Sequence, residues 1–290
     1  MTARSTNVSQ LIRHGESFLQ TCGVPNARRN AEWLLAHVLA CRSADLYLDA
    51  EYTPATPQIA AYDRLLERRS SREPLQYILG TTEFMSLPFY SFPGVFIPRP
   101  DTEILVEKIE RHLKMAKHPT YRLADLCCGS GVIAVSLLKR VAGTKVTAVD
   151  VSAAAIDITE RNAQLNGVWD RVECVCADAI RFLERNTEPF DVIVCNPPYI
   201  STGDIASLAP EIQEHEPRIG LDGGDRGLDF YCAIVGVLRR SLKPRGIVGF
   251  EIGAGQADSV RDILVGESLS DVEVYKDYAG NDRVVIAKNP

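Results

Sequence analysis

The sequence predicts an α/β fold: a mostly parallel sheet covered by helices, its last strand antiparallel, preceded by a small helical domain. Three observations lead there. From Tyr121 onward, apolar strand-like runs alternate with segments of helical period. Residues 1–82 instead carry apolar side chains that recur at three- and four-residue steps. Between these regions, residues 83–98 are rich in Phe but broken by Pro88, Pro93, Gly94 and Pro98. The chain has 290 residues, 46% of them hydrophobic and 24% charged, enough for two modest domains with cores of normal size.

In the first region Val8, Leu11, Ile12, Phe18, Leu19 and Cys22 mark a helix that Gly23 stops. Leu34, Leu35, Val38 and Leu39 mark a second, opened by Asn26. Thr56-Pro57 reads as an N-cap followed by proline at the first helical position, opening a third helix with Ile59, Leu65 and Leu66. Arg64, Arg68, Arg69 and Arg72 cluster at its end and read as a solvated C-terminus that complements the macrodipole. Residues 83–98 are expected to form a hairpin linker. Arg99-Pro100-Asp101-Thr102-Glu103 then starts a helix bearing Ile104, Leu105, Ile109 and Leu113.

Beyond it, strands are expected near 121–127, 145–150, 171–176, 190–195, 246–252, 271–277 and 282–288. Helices are expected near 130–141, 152–166, 227–242 and 255–265. Only the turn Ala279-Gly280-Asn281-Asp282 separates the last two strands, which makes the final strand antiparallel. The expected domains are therefore 1–82, the linker 83–98, and 99–290.

Several classes are disfavoured. No apolar run approaches the roughly 18 residues of a membrane helix. Met1-Thr2-Ala3-Arg4-Ser5 leads into no signal-peptide core, so a cytoplasmic protein without membrane association is expected. The eight cysteines lack zinc-site spacing and are expected to be buried free thiols, with no metal. Net charge is −6. Residues 1–86 carry nine basic and nine acidic side chains, and the remainder carries 23 and 29. The deficit argues against nucleic acid as a direct partner, since a duplex-binding site needs a basic footprint.

Chemistry-bearing residues sit at four successive strand ends. Asp125 and the turn Cys127-Cys128-Gly129-Ser130-Gly131 follow the first strand of the sheet, where glycines let a ligand approach the backbone. Asp150 ends the second strand, where an acid can hold ribose hydroxyls. Asp178 follows the third and can accept from an adenine amino group. Asn196-Pro197-Pro198-Tyr199 follows the fourth. Any one of these could be a plain turn or a helix cap. Together they describe one nucleoside crevice. No glycine stands three positions after Gly131, and there is no Walker lysine, so S-adenosylmethionine fits better than a dinucleotide or ATP. The Asn-Pro-Pro-Tyr tip is suited to a planar NH2 group. The Asn196 oxygen and the Pro197 carbonyl can accept its two N–H bonds, and Tyr199 offers a flat face.

The chain resembles the protein-(glutamine-N5) methyltransferases that modify peptide chain release factors, over nearly its whole length. The motifs are Pro74-Leu75-Gln76-Tyr77-Ile78-Leu79-Gly80 with Glu83-Phe84, Phe96 to Glu103, Asn196 to Ile200, Glu216-Pro217-Arg218 with Leu221 to Gly224, Gly227-Leu228, Glu251-Ile252-Gly253 and Asp277 to Arg283. The resemblance implies a Rossmann-like class I S-adenosylmethionine-dependent methyltransferase sheet. It also implies methylation of the glutamine in a Gly-Gly-Gln motif, modulating translation termination, with release factors as protein partners of a monomeric enzyme. The expected catalytic residues are Asn196, Pro197 and Tyr199, with Pro198 also lining the substrate site. The expected cofactor-binding residues are Asp125, Cys127, Cys128, Gly129, Ser130, Gly131, Asp150, Asp178, Ala179, Asn196, Arg99 and Thr102. His215 reads as a loop residue rather than a base. Competing readings are methylation of a ribosomal-protein glutamine or a nucleobase amino group, and a non-catalytic adaptor. One position departs from the family: glycine usually stands where Cys127 is. Cysteine resists positive φ, so Cys127 is expected to be extended, with cofactor affinity the property at stake.

Overall fold

The computed structural model describes residues 6–116 and 118–290. Met1 to Ser5, read above against a signal peptide, lie outside them, as does Lys117. The chain divides into two compact units, one formed by Met1–Gly80 with Pro210–His215, the other by Thr81–Ala209 with Glu216–Pro290.

The first unit contains α1 (Val8–Thr21), α2 (Ala27–Leu39), α3 (Thr56–Ser70) and α4 (Leu75–Leu79). Asn7 and Gln10 form a reciprocal capping box on α1. Asn26 does precede α2, but in a left-handed conformation with no side-chain cap bond. α3 starts at Thr56 itself, with Ala55 in the cap position and Pro57 in the first turn, where its missing N–H costs nothing. The core includes Leu11, Leu19, Leu34, Leu35 and Leu66, all among the expected apolar positions, together with Tyr62, which was not.

Of the arginines at the end of α3, Arg64 and Arg68 are exposed as expected, but Arg69 and Arg72 are not solvated. Arg69 is only 4% exposed. It donates to Asn30 Oδ1 (2.8 Å), the Glu73 carbonyl (3.2 Å) and Glu211 Oε1 (2.7 Å). Arg72 grips both oxygens of Glu211 at 3.0 and 2.6 Å. Glu211 comes from a short helix, Pro210–His215, that reaches this unit from far along the chain. His215 ends that helix and is not in a loop. Burial alone would raise the Glu211 carboxyl, but the bonds from Arg72 and Arg69 outweigh it and hold it low.

The second unit opens with a hairpin of β1 (Thr81–Phe84) and β2 (Leu87–Tyr90). Its turn residues, Met85 (φ 52°) and Ser86 (φ 60°), are both left-handed, the geometry of a tight two-residue hairpin. The hairpin therefore lies earlier than the 83–98 expected, and residues 91–101 carry no strand although Val95 and Ile97 are buried.

After α5 (Thr102–Ala116) come β3 (Tyr121–Leu126), α6 (Val132–Arg140), β4 (Thr144–Asp150), α7 (Ala153–Leu165), β5 (Val172–Cys176), α8 (Ala179–Arg185) and β6 (Phe190–Cys195). With the Pro210–His215 helix counted as α9, the chain continues through α10 (Asp229–Ser241), β7 (Leu242–Glu251), α11 (Ala257–Gly266), β8 (Ser270–Lys276) and β9 (Asp282–Lys288). The seven strands lie in the order β5-β4-β3-β6-β7-β9-β8. β9 runs antiparallel between β7 and β8, as the short turn before it requires. Apolar residues on alternate positions serve two cores. Leu123, Val192, Val194 and Ile286 face α5 and α6, while Ala124, Ile193, Phe250 and Val285 face α10 and α11. α8 was not expected, because seven residues give too short a period to read.

Strand order reverses between β3 and β6, and ligands of open parallel sheets bind at such a switch point. Leu126 pairs with Cys195, so Cys127 and Asn196 leave the sheet side by side.

Glu211→Ala leaves Arg69 buried without its carboxylate and is expected to destabilise the protein by on the order of 3 kcal/mol. Urea unfolding of the full chain measures this. The contribution is full above about pH 4.5 and fades as acidification protonates Glu211.

Candidate active site

The turn after β3 is held from several sides. Cys128 N–H donates to the Val149 carbonyl (3.0 Å) and Gly131 N–H to the Cys128 carbonyl (2.8 Å). Thr159 Oγ1 donates to the Gly129 carbonyl (3.0 Å), and Asn162 Nδ2 to the Ser130 carbonyl (2.9 Å). Gly131 has φ 75°, and a Cβ there would meet Thr159 Cγ2 at 2.7 Å, so only glycine fits.

Cys127 is not extended, contrary to expectation. Its φ is 56°, the left-handed conformation a glycine would take. The backbone bonds of Cys128 and Gly131 fix the path of the turn and override the side chain's preference. The strain is about 1–2 kcal/mol.

Asp150 braces the same turn. Its Oδ2 accepts from Gly129 N–H and its Oδ1 from Ser152 N–H, both at 2.9 Å. Asp125 is fully buried, with Oδ2 accepting from Ala134 N–H (3.0 Å). Its other oxygen, Oδ1, is buried without a hydrogen-bond partner among the described residues. Burial, with a smaller push from the charge of Asp150, raises Asp125 to about 8, while the Ala134 bond opposes the shift.

Asp178 is placed less centrally. Its Oδ1 caps α8 by accepting from Arg181 N–H (2.9 Å), the plain role that any single strand-end acid could have had. Ala179 is the first residue of that helix and is buried. Arg99 is engaged by other side chains. It pairs with buried Glu216 and stacks over Phe96 at 4.8 Å. Glu216 also accepts from Ile97 N–H (3.2 Å), so this pair pins the irregular segment before α5.

The tip itself rests on a residue that the sequence reading passed over as part of a closing strand. Glu251, at the end of β7, has no exposed surface. Its Oε2 accepts from Thr102 Oγ1 at 2.6 Å, and its Oε1 from Tyr199 Oη at 3.3 Å. Thr102, having donated to Glu251, accepts from Asn196 Nδ2 at 3.3 Å. The direction of this relay orients the Asn196 amide: its NH2 faces Thr102, and its oxygen is turned the other way. Pro197 and Pro198 are buried beside it. Burial raises Glu251 to about 7, opposed by the Thr102 bond, the Arg283 charge and the Tyr199 bond. Tyr199 is likewise pushed up, by burial first and then by the charge of Glu251. The signal available beforehand was an acid ending an otherwise apolar strand, Ile247-Val248-Gly249-Phe250-Glu251.

The rest of the motif is held by backbone. Ile200 N–H donates to the Leu221 carbonyl (3.0 Å) and Gly223 N–H to the Ile200 carbonyl (2.8 Å). Gln256 Nε2 donates to the Tyr199 carbonyl (2.9 Å). A Cβ on Gly227 would meet that same carbonyl at 2.1 Å. The eight cysteines are free, but only Cys128 and Cys195 are buried, and Cys22, Cys41, Cys176 and Cys232 are exposed. The expectation of eight buried thiols fails because helix termini and an edge strand leave these side chains open. No helix among the described residues is long and apolar enough to cross a membrane.

Two family models match the sequence: the PrmC N-terminal domain over residues 10–80 and the methyltransferase small domain over residues 86–219. A release factor glutamine methyltransferase of Geobacter sulfurreducens is 41% identical over 278 residues, covering 96% of this chain and 95% of the relative. The human MTRF1L release factor glutamine methyltransferase is 35% identical over 289 residues, covering 94% and 85%. Among solved structures, a T. thermophilus 16S rRNA methyltransferase in complex with AdoMet and guanosine aligns with a TM-score of 0.53 at 18% identity, over 72% of this chain and 50% of that one. That likeness is one of fold: the second unit has the class I methyltransferase architecture. The full-length identities go further, and the chain belongs to the release factor glutamine methyltransferase family.

Proposed function

We propose that this protein transfers a methyl group from S-adenosylmethionine to the side-chain N5 of the glutamine in the Gly-Gly-Gln motif of peptide chain release factors. In this reading it acts in the cytoplasm as a monomer and modulates translation termination. The observation that carries the reading is the oriented amide of Asn196, whose NH2 is committed to Thr102 beside the β3 turn. The acidic balance of residues beyond 86 favours a protein acceptor over a nucleobase.

The turn fits a cationic nucleoside cofactor. Gly129 faces open space, with nothing within 4 Å of where a Cβ would stand. Asp125 Oδ1 lacks a partner among the described residues, and a positive ligand would offset the burial that pushes this carboxyl up. In this reading the lone pairs that Asp150 keeps beside its bonds to Gly129 and Ser152 accept ribose hydroxyls, and Asp178 offers the oxygen free of its cap bond. When bound, the cofactor supplies an electrophilic methyl on a sulfonium sulfur.

The protein's own residues supply position. Asn196 Oδ1 and the Pro197 carbonyl accept the two N–H bonds of a glutamine amide, leaving the π face of its nitrogen toward the methyl. Tyr199 lies against the amide plane. Holding reactants in near-attack geometry contributes on the order of 7–11 kcal/mol, and acceptors aimed at the nitrogen favour the positive charge it gains. Glu251 is spent on Thr102 and Tyr199, so its part is to orient, and the amide proton leaves to water after transfer.

The direct assay combines purified protein, labelled S-adenosylmethionine and release factors with the loop glutamine intact or replaced. Label on the replaced factor would reject the proposed acceptor. Asn196→Ala should leave cofactor affinity near wild type while lowering kcat on the order of 10²–10³-fold. Glu251→Gln keeps one accepting oxygen for two donors, so either Thr102 or Tyr199 must turn and the support of the tip loosens. A kcat loss of about tenfold or more, with cofactor Kd unchanged, is expected.

Asp125 gives a pH signature. Below about pH 8 it is protonated in the free protein, and a cationic cofactor favours its ionised form. Cofactor binding should therefore release protons and tighten as pH rises toward about 8. Calorimetry in buffers of different ionisation enthalpy reads the proton count, and Asp125→Asn should abolish that dependence.

A further inference from the structure

Cys127 is the residue by which this turn departs from glycine, and it stands beside a second thiol. Leu126 pairs with Cys195 across β3 and β6, so Cys127 is one step beyond the direct neighbour of Cys195. Cys127 lies just past the end of β3 in a left-handed conformation, and its thiol is a direct neighbour of the Cys195 thiol, the proximity that a disulfide needs. Their side chains share a face of the sheet, since Cys127 packs against the same apolar cluster that contains Cys195. Cys128, its sequence neighbour, points to the opposite core and contacts Thr159 Oγ1 at 3.6 Å, so it does not compete.

We propose that Cys127 and Cys195 form a reversible dithiol–disulfide couple at the floor of the cofactor crevice, oxidised by hydroperoxides and reduced by small or protein dithiols.

The burial of the two thiols assigns their order. Cys127 is half-buried at the crevice and takes the oxidant, while Cys195 has no exposed surface and resolves. Burial first, and the neighbouring Cys127 thiol second, hold Cys195 well above the usual thiol range, which keeps it protonated until Cys127 has reacted. The Cys127 thiolate attacks one peroxide oxygen. An S–O bond forms, the O–O bond breaks, and the departing hydroxide takes a proton to become water. Cys195 sulfur then attacks the sulfenic sulfur. The S–S bond forms, the S–O bond breaks, and the second hydroxide leaves as water with the Cys195 proton. Two thiols are oxidised by two electrons and one peroxide is reduced to two waters (one when the peroxide is an alkyl hydroperoxide, the other product being an alcohol). A dithiol reverses the bond by two exchanges.

The consequence for the reaction rests on the function proposed above. Cys127 begins the cofactor turn and Cys195 immediately precedes Asn196. One covalent bond would tie the turn to the amide-holding tip and place a disulfide at the crevice floor, so cofactor access is the property it would change.

The test uses the full-length reduced protein, titrated with hydrogen peroxide and digested without reductant. The expected product is a cross-linked pair of peptides joining Cys127 to Cys195, lost on adding dithiothreitol and formed several-fold more slowly in saturating S-adenosylhomocysteine. Cys195→Ala should divert oxidation to a sulfenic acid at Cys127 that dimedone traps, with no cross-link at that position. The proposal is overturned if peroxide modifies only the exposed Cys22, Cys41, Cys176 and Cys232, or if wild-type Cys127 stops at the dimedone-trapped stage. A cross-link whose rate is indifferent to S-adenosylhomocysteine would uphold the couple and instead remove Cys127 from the cofactor site.

Discussion

The site is organised around one buried carboxylate. Glu251 ends β7 with no exposed surface and carries both Thr102 and Tyr199 on its two oxygens. Because Thr102 donates its only hydroxyl hydrogen inward, its oxygen can only accept from other groups, and the group that reaches it is the Asn196 NH2. A single acceptor thus sets the direction of every hydrogen bond out to the tip. Burying such a carboxylate is costly, and it persists because both oxygens are bonded and Arg283 lies near enough for its charge to offset part of the penalty. Arg283 is itself fixed by Asp277, at 3.2 Å, and by the Ile252 carbonyl, at 3.2 Å. The closing strands that seem remote from the chemistry are the frame on which its orienting group is mounted.

A second constraint is the path of the turn after β3. Neighbouring backbone bonds hold Cys127 in a conformation that suits glycine, at a cost of about 1–2 kcal/mol. Strain of this kind gathers where geometry serves a ligand. The same turn gathers two carboxyl groups, since Asp150 braces it and Asp125 lies beneath it with an oxygen that has no hydrogen-bond partner among the described residues. The carboxyl that is hardest to ionise in the free protein is therefore the one a cationic ligand relieves.

Much of this was legible in the sequence. The strand and helix periods from Tyr121 onward gave seven strands within a few residues of their observed bounds, and the turn at Ala279 to Asp282 gave the antiparallel strand. Strand-end polar residues pointed to one crevice because a parallel sheet places such ends together. Short or special elements were not legible. α8 and α9 are too brief for a period, and the Met85-Ser86 turn uses left-handed residues without the glycine or asparagine that usually signals it. Arg69 and Arg72 read as solvated because their partner, Glu211, lies some 140 positions away in the chain.

The sequence by itself determined the architecture, the family and the chemical type of each candidate residue, because periodicity, turn chemistry and contiguous motifs are local properties. Only the tertiary structure decided which of those residues act together and in which direction. Glu251 looked like the end of a strand until folding set it under Thr102 and Tyr199. Cys127 was expected to be extended until the backbone bonds around it fixed the opposite. Hydrogen-bond direction, burial and backbone strain arise from neighbours that are distant in sequence, and no local pattern encodes them.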